Sequence, residues 1–303
     1  MKKYFIITVD TEGDNLWNYK HGDVITTANA RYIPRFQELC QKYDFPPVYL
    51  TNYEMLCDDF YVDYIKEKHL NHLCEVGLHL HAWNTPPHYP LNEVHPGNPY
   101  LIEYPVDVMR EKFDFLYRLF CRKMGFAPVS HRSGRWAMDC NYFKLLEEYD
   151  VRVDCSVTPH IDWSRNMGTT RGGSDYSKAP EGAHWIDNVF EVPPTIRISH
   201  RPSNGSLKHR AKVLLCGKIL NFRLATSSVD ELIYLIDKVA GESSVDYLEF
   251  MLHSSELMPG GSPYFVDEKS IEDMYNDMEK LFSYIKSLGY SGITLEDYFR
   301  RLK

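Results

Sequence analysis

Two histidines close the run Glu75-Val76-Gly77-Leu78-His79-Leu80-His81, and they lie two positions apart. In an extended segment that spacing points both imidazoles to the same face. Two imidazoles and one carboxylate form a common catalytic set for zinc and related divalent ions, with positions left open for water and substrate. The carboxylate has candidates in Asp10-Thr11-Glu12-Gly13-Asp14. Asp10 and Glu12 share a face, so one can ligate while the other meets the water. The expectation is a divalent-metal cluster around Glu12, His79 and His81, with Asp14 a rival for either acidic role. A His-x-His pair by itself is equally a pair of satisfied structural histidines; the acidic cluster is what raises the metal reading above it. His88 and His95 sit in a Pro-rich loop and either line the site or lie exposed. His69, His72, His184, His200 and His209 read as structural or solvated.

These residues need strands to present them. Lys3–Val9 is a β-branched and aromatic run too short for a helix, and the acidic cluster follows it at once. Pro47–Thr51, Glu75–Leu80, Pro128–His131, Val151–Cys155, Phe190–Pro193 and Tyr247–Leu252 read as further strands, with a last one at Gly292–Thr294. Helical spacing marks Asn29–Tyr43, Asp59–Asn71, Asp107–Met124, Asn141–Tyr149, Val229–Val239, Glu268–Leu288 and a terminal helix. His160–Gly182 and Ser199–His209 read as loops, and the mildly basic Arg197–Lys212 as solvated. Alternating strands and helices imply parallel strands joined by crossovers. About seven such units predict an α/β fold, a distorted (β/α) barrel forming one domain over 1–303. Active-site groups of such folds gather at the carboxyl ends of the strands. Here those ends carry Asp10, Glu12 and Asp14, then His79 and His81, then His131-Arg132, then Asp154, then His253 followed by Ser254-Ser255-Glu256.

Composition excludes several classes. A net charge of −8 and the lack of a dense basic run argue against a nucleic-acid partner. No stretch reaches the apolar length of a membrane span. The seven cysteines form no C-x-x-C pair, which fits a reducing compartment. The N-terminal run is too short for a secretory signal, so the expected location is cytoplasmic. The aromatic fraction of 14% supplies core and, in part, faces for sugar rings.

Taken in chain order, the strand ends resemble the polysaccharide deacetylase superfamily of the NodB-homology type, in a divergent cytoplasmic version. The resemblance runs from Thr8 to His253 and beyond. The family motif T-F-D-D-G is matched by Thr8-Val9-Asp10-Thr11-Glu12, with Thr11 where the metal-binding Asp is expected. Relatives with D-x-D or D-x-E versions shift the ligand by one residue, which implies Asp10 as base and Glu12 as ligand. The motif H-S/T-x-x-H, usually preceded by E-I-G, begins at Glu75-Val76-Gly77-Leu78-His79; its second His falls on Trp83, which cannot ligate, and His81 is the substitute. R-x-P-x-G appears as Arg132-Ser133-Gly134-Arg135-Trp136, which implies that Arg132 holds the ionised base. An Asp with a groove-lining Trp is matched weakly by Asp154-Cys155-Ser156. L-x-H appears as Met251-Leu252-His253, which makes His253 the general acid.

The resemblance implies a metal-dependent deacetylase, zinc being the expected ion, acting on the N-acetyl group of an amino sugar or glycan intermediate in surface polysaccharide metabolism. Trp83, Trp136 and Tyr264 are the candidates for stacking on a carbohydrate substrate. A deformylase or an allantoinase-like cyclic-amide hydrolase keeps the same site and changes the bond. A degenerate glycan-binding protein is the reading that Thr11 and Trp83 favour.

Overall fold

In the computed structural model the described residues are 2–20, 22–201 and 206–302. Part of the predicted loop 199–209 (202–205) and the side chain of His209 lie outside them. The strands are β1 (Tyr4–Thr11), β2 (Pro47–Thr51), β3 (Glu75–Leu80), β4 (Ser130–Ser133), β5 (Val153–Asp154), β6 (His184–Ile186), β7 (Val189–Glu191), β8 (Ile196–Ser199), β9 (Lys218–Asn221), β10 (Tyr247–His253) and β11 (Ser291–Gly292). The helices are α1 (Ile33–Lys42), α2 (Tyr53–Leu56), α3 (Asp59–Leu70), α4 (Val106–Met124), α5 (Cys140–Glu148), α6 (Leu207–Cys216), α7 (Val229–Ala240), α8 (Glu268–Ser287) and α9 (Leu295–Arg300).

The main sheet runs β10-β1-β2-β3-β4-β5-β7-β6, with β11 against β1. From β10 to β7 all seven strands are parallel; β6 is antiparallel to β7. All eight residues of β1 are buried, as a strand covered on both faces requires. The sheet curls into a barrel whose last gap is crossed by single bonds instead of a ladder. Thr195 Oγ1 accepts from the Glu249 amide at 2.8 Å, and the Tyr247 hydroxyl donates to Pro193 O at 2.8 Å. Curling is also visible in Arg132. Flat strands would put β4 roughly 14 Å from β1, yet the guanidinium reaches Asp10 on β1 and Glu249 on β10. Gly77 permits this tight interior: a Cβ there would meet Ser130 Oγ at 2.3 Å.

The predicted distorted barrel of parallel strands is therefore present, with β4 displaced two residues toward the C-terminus. The predicted loop at 160–182 carries no regular strand or helix. One region differs. Ile196–Ser199 and Lys218–Asn221 pair as the hairpin β8–β9, with α6 at Leu207–Cys216 between them, in place of a solvated loop. Arg197 is buried and pairs with Glu242 at 2.8 Å and Glu181 at 3.1 Å. Those acids are remote in sequence, so the basic run looks solvated until the chain is folded.

Candidate metal centre

Register sets the height of each group. Asp10 pairs with His253 across β1 and β10, and His79 with Arg132 across β3 and β4. His81 is one residue past β3, and its ring turns back to the same side as that of His79. The two Nε2 atoms are 3.1 Å apart, and Glu12 Oε2 lies 2.7 Å from His81 Nε2 and 3.4 Å from His79 Nε2. The backbone of Glu12 is fixed on both sides. Its amide donates to Ser254 Oγ at 3.1 Å, and its carbonyl accepts from Asn29 Nδ2 at 2.8 Å and Ser254 Oγ at 3.1 Å.

The donor set fits a divalent ion. A tetrahedral ion bound at about 2.0–2.1 Å spaces its ligand atoms by about 3.3 Å, and the three edges here bracket that value. His79 Nδ1 donates to Arg132 O at 2.9 Å, which leaves the Nε2 lone pair facing the triangle. Burial pushes the His81 imidazole down to about 4, so the ring is neutral near pH 7 and keeps one nitrogen lone pair. Burial opposes charge on His79 too, but the Asp10 and Glu12 carboxylates outweigh it and raise the value. Glu12 is held well below the ordinary carboxylate range because the two imidazoles overcome the cost of its burial. Two imidazole nitrogens and a carboxylate oxygen therefore lie close enough together to hold one cation.

Asp10 is adjacent but differently held. Its Oδ1 accepts from Arg132 Nη1 at 2.7 Å. Burial would raise this carboxyl, but Arg132 and the neighbouring imidazoles lower it below its usual value. Arg132 is fully buried and also donates to Cys155 O (3.0 Å), Thr8 Oγ1 (2.9 Å) and Glu249 Oε1 (2.8 Å). The free oxygen of Asp10, Oδ2, lies 3.8 Å from His253 Nε2. His253 Nδ1 lies 3.1 Å from Glu256 Oε1, and Arg223 ion-pairs with the same carboxylate. Arg223 Nη2, which can only donate, lies 2.8 Å from the same Nδ1, so that nitrogen accepts and the ring proton sits on Nε2, facing the site.

These groups floor a cleft of about 790 Å³, within the usual range for small-molecule sites. Trp83 and Trp136 line it, as does His95. Tyr264 does not; it packs behind that wall, edge-on to Trp17 at 5.6 Å. Trp17 lines the cleft in its place, packed edge-on to His253 at 4.9 Å. It is five residues beyond Glu12 in a strand-end loop, a position that sequence reasoning could have singled out. Asp14 is no rival for either acidic role. Its oxygens accept from Thr26 Oγ1 and the Asn29 amide, away from the cleft. Asp154 does not reach the cleft either; it is buried against His131 Nδ1 at 2.7 Å and Ser156 Oγ at 2.9 Å.

No family model and no curated protein matches the chain. Solved structures do. A GH57 branching enzyme from Thermococcus kodakaraensis, crystallised with glucose, aligns with 100% of this chain and 72% of its own, at 10% identity and a TM-score of 0.56. A 4-alpha-glucanotransferase from Thermococcus litoralis aligns with 98% of this chain at 11% identity and a TM-score of 0.53. The chain shares their fold. It spans only 38% of the glucanotransferase, and at such identities the likeness concerns the fold alone. A putative polysaccharide deacetylase from Mycobacterium smegmatis also matches, over 97% of this chain and 94% of its own, at 13% identity and a TM-score of 0.48.

Proposed function

We propose that the chain is a metal-dependent hydrolase that removes the acetyl group from the amide nitrogen of an amino sugar or glycan intermediate. The observation that carries this reading is the convergence of Glu12 Oε2, His79 Nε2 and His81 Nε2, with an ionised carboxylate and an imidazole facing the same space. The two-imidazole, one-carboxylate set suits zinc or a related first-row ion. When bound there, the ion would polarise the acyl carbonyl and acidify water.

The chain's own groups supply the proton traffic. Asp10, kept ionised chiefly by Arg132 against its burial, accepts at Oδ2 the proton of the attacking water. Arg132 holds the other oxygen, so the free lone pairs point into the cleft. His253, whose Nδ1 accepts from Arg223, gives its Nε2 proton to the departing amine, which a strongly basic leaving group requires. Trp17, Trp83 and Trp136 line the cleft, and aromatic side chains suit a sugar. All seven cysteines are free, which supports a reducing, cytoplasmic setting.

Cleavage of a glycosidic bond, the chemistry of the branching enzyme with the same fold, is less well supported. It calls for a protonated carboxyl at the reacting centre, whereas Asp10 and Glu12, the carboxylates beside His79, His81 and His253, are both held below their ordinary values. Zinc-loaded protein assayed on nucleotide-linked, lipid-linked and oligomeric N-acetylhexosamines tests the proposal. Acetate release supports it, formate release moves it to a deformylase, and no acyl release from any substrate refutes it.

A further inference from the structure

Helix α6 is built the wrong way round for a soluble surface. Of its described side chains only Val213 is buried, while Leu207, Leu214 and Leu215 are 84%, 60% and 80% exposed. At helical spacing Leu207, Ala211, Leu214 and Leu215 fall within an arc of about 100°, and Val213 lies roughly opposite. The apolar stripe therefore faces away from the protein. Lys208 and Arg210 flank that stripe on its two sides, Lys212 follows, and the helix sequence holds no acid. This basic segment belongs to a chain whose net charge is −8. Ile219, at the start of β9, is a further half-exposed apolar side chain.

We propose that α6 docks the protein on an anionic lipid surface, lying in the plane of the interface. An outward apolar stripe bordered by lysine and arginine matches such a surface in both respects: the leucines enter the acyl boundary while the cationic heads stay at the phosphates. Charge is what selects this occupant. A second copy seated on the same stripe would bring Lys208, Arg210 and Lys212 against their own counterparts, which is repulsive. The helix is also separate from the cleft. Arg223, which lines the cleft, lies two residues past the end of β9, whereas α6 joins β9 at its other end. Docking would hold the chain at a membrane without covering the site.

Cosedimentation of the full chain with phosphatidylcholine vesicles, with and without phosphatidylglycerol, tests this. The expected result is binding to the anionic vesicles only, reversed by salt. L214S/L215S and K208E/R210E/K212E should each lower vesicle affinity about tenfold or more, with circular dichroism and bound-metal content unchanged. No binding of the wild type to anionic vesicles overturns the proposal, as does equal binding by both variants. A wild-type dimer that L214S/L215S turns into a monomer, without vesicle binding, overturns it in favour of a second copy. None of these readouts depends on turnover, so failure here is separate from failure of the proposed reaction.

Discussion

Replacing Arg132 with Met tests whether Asp10 owes its ionised state to one guanidinium. The pair is in contact at 2.7 Å with both side chains buried. Taking charge centres about 4 Å apart and an effective dielectric of about 20, the attraction is about 4 kcal/mol, or about 3 pKa units. Neighbouring imidazoles retain part of the effect, so the acid limb of kcat/KM should move up by about 1–3 units. The sign follows from the direction of the present shift: Asp10 is now below its usual value, and without Arg132 its burial raises it. Arg132 also compensates Glu249, a fully buried carboxylate. The variant should therefore lose about 3–5 kcal/mol of stability, and its profile is measured well below its Tm. Arg132→Lys, which keeps the charge and loses the fork, should return the limb part of the way. An acid limb that stays in place in folded, metal-loaded R132M would refute the reasoning.

Other outcomes follow from the same geometry. Asp10→Asn should keep its metal and lose about 10²–10⁴-fold in kcat, a split read by elemental analysis beside acetate release. Gly134→Ala places a Cβ 2.5 Å from His81 Nδ1, so it should push that imidazole out of the triangle and weaken metal affinity about tenfold or more, measured by competition with a chelator. Glu75 is raised to about 7 by burial, so its native form binds a proton that the unfolded chain has already released. It therefore costs stability increasingly as pH rises from about 4.5 to 7. Glu75→Gln should recover up to roughly 3 kcal/mol at pH 8 and little at pH 4, read from urea midpoints.

Much of the site was legible because strand ends are where a parallel α/β fold collects its chemistry. Asp10, Glu12, His79, His81, Arg132 and His253 each follow or close a short apolar strand run, and neighbouring strands of the sheet bring them together. The two-residue spacing of His79 and His81 survived even though His81 lies beyond the last residue of β3. What was not legible depends on pairs far apart in sequence or on loop paths. Asp14 and Asp154 looked like candidates because type and position were right; folding spends their oxygens on Thr26, Asn29, His131 and Ser156. Trp17 enters the cleft and Tyr264 only backs it, a distinction that loop conformation sets. Arg197 looked solvated because Glu181 and Glu242 are not its sequence neighbours. Glu256 was visible as a residue beside His253, but its approach to Nδ1 needed the 3₁₀ turn that follows β10.

The central claim is that Glu12, His79 and His81 hold a divalent ion. Elemental analysis of the purified, zinc-equilibrated chain after gel filtration, beside His79→Ala, tests it most directly. The account predicts about one ion per chain in the wild type and near none in the variant. A wild type that emerges without metal, or a His79→Ala protein that retains it in full, would contradict it.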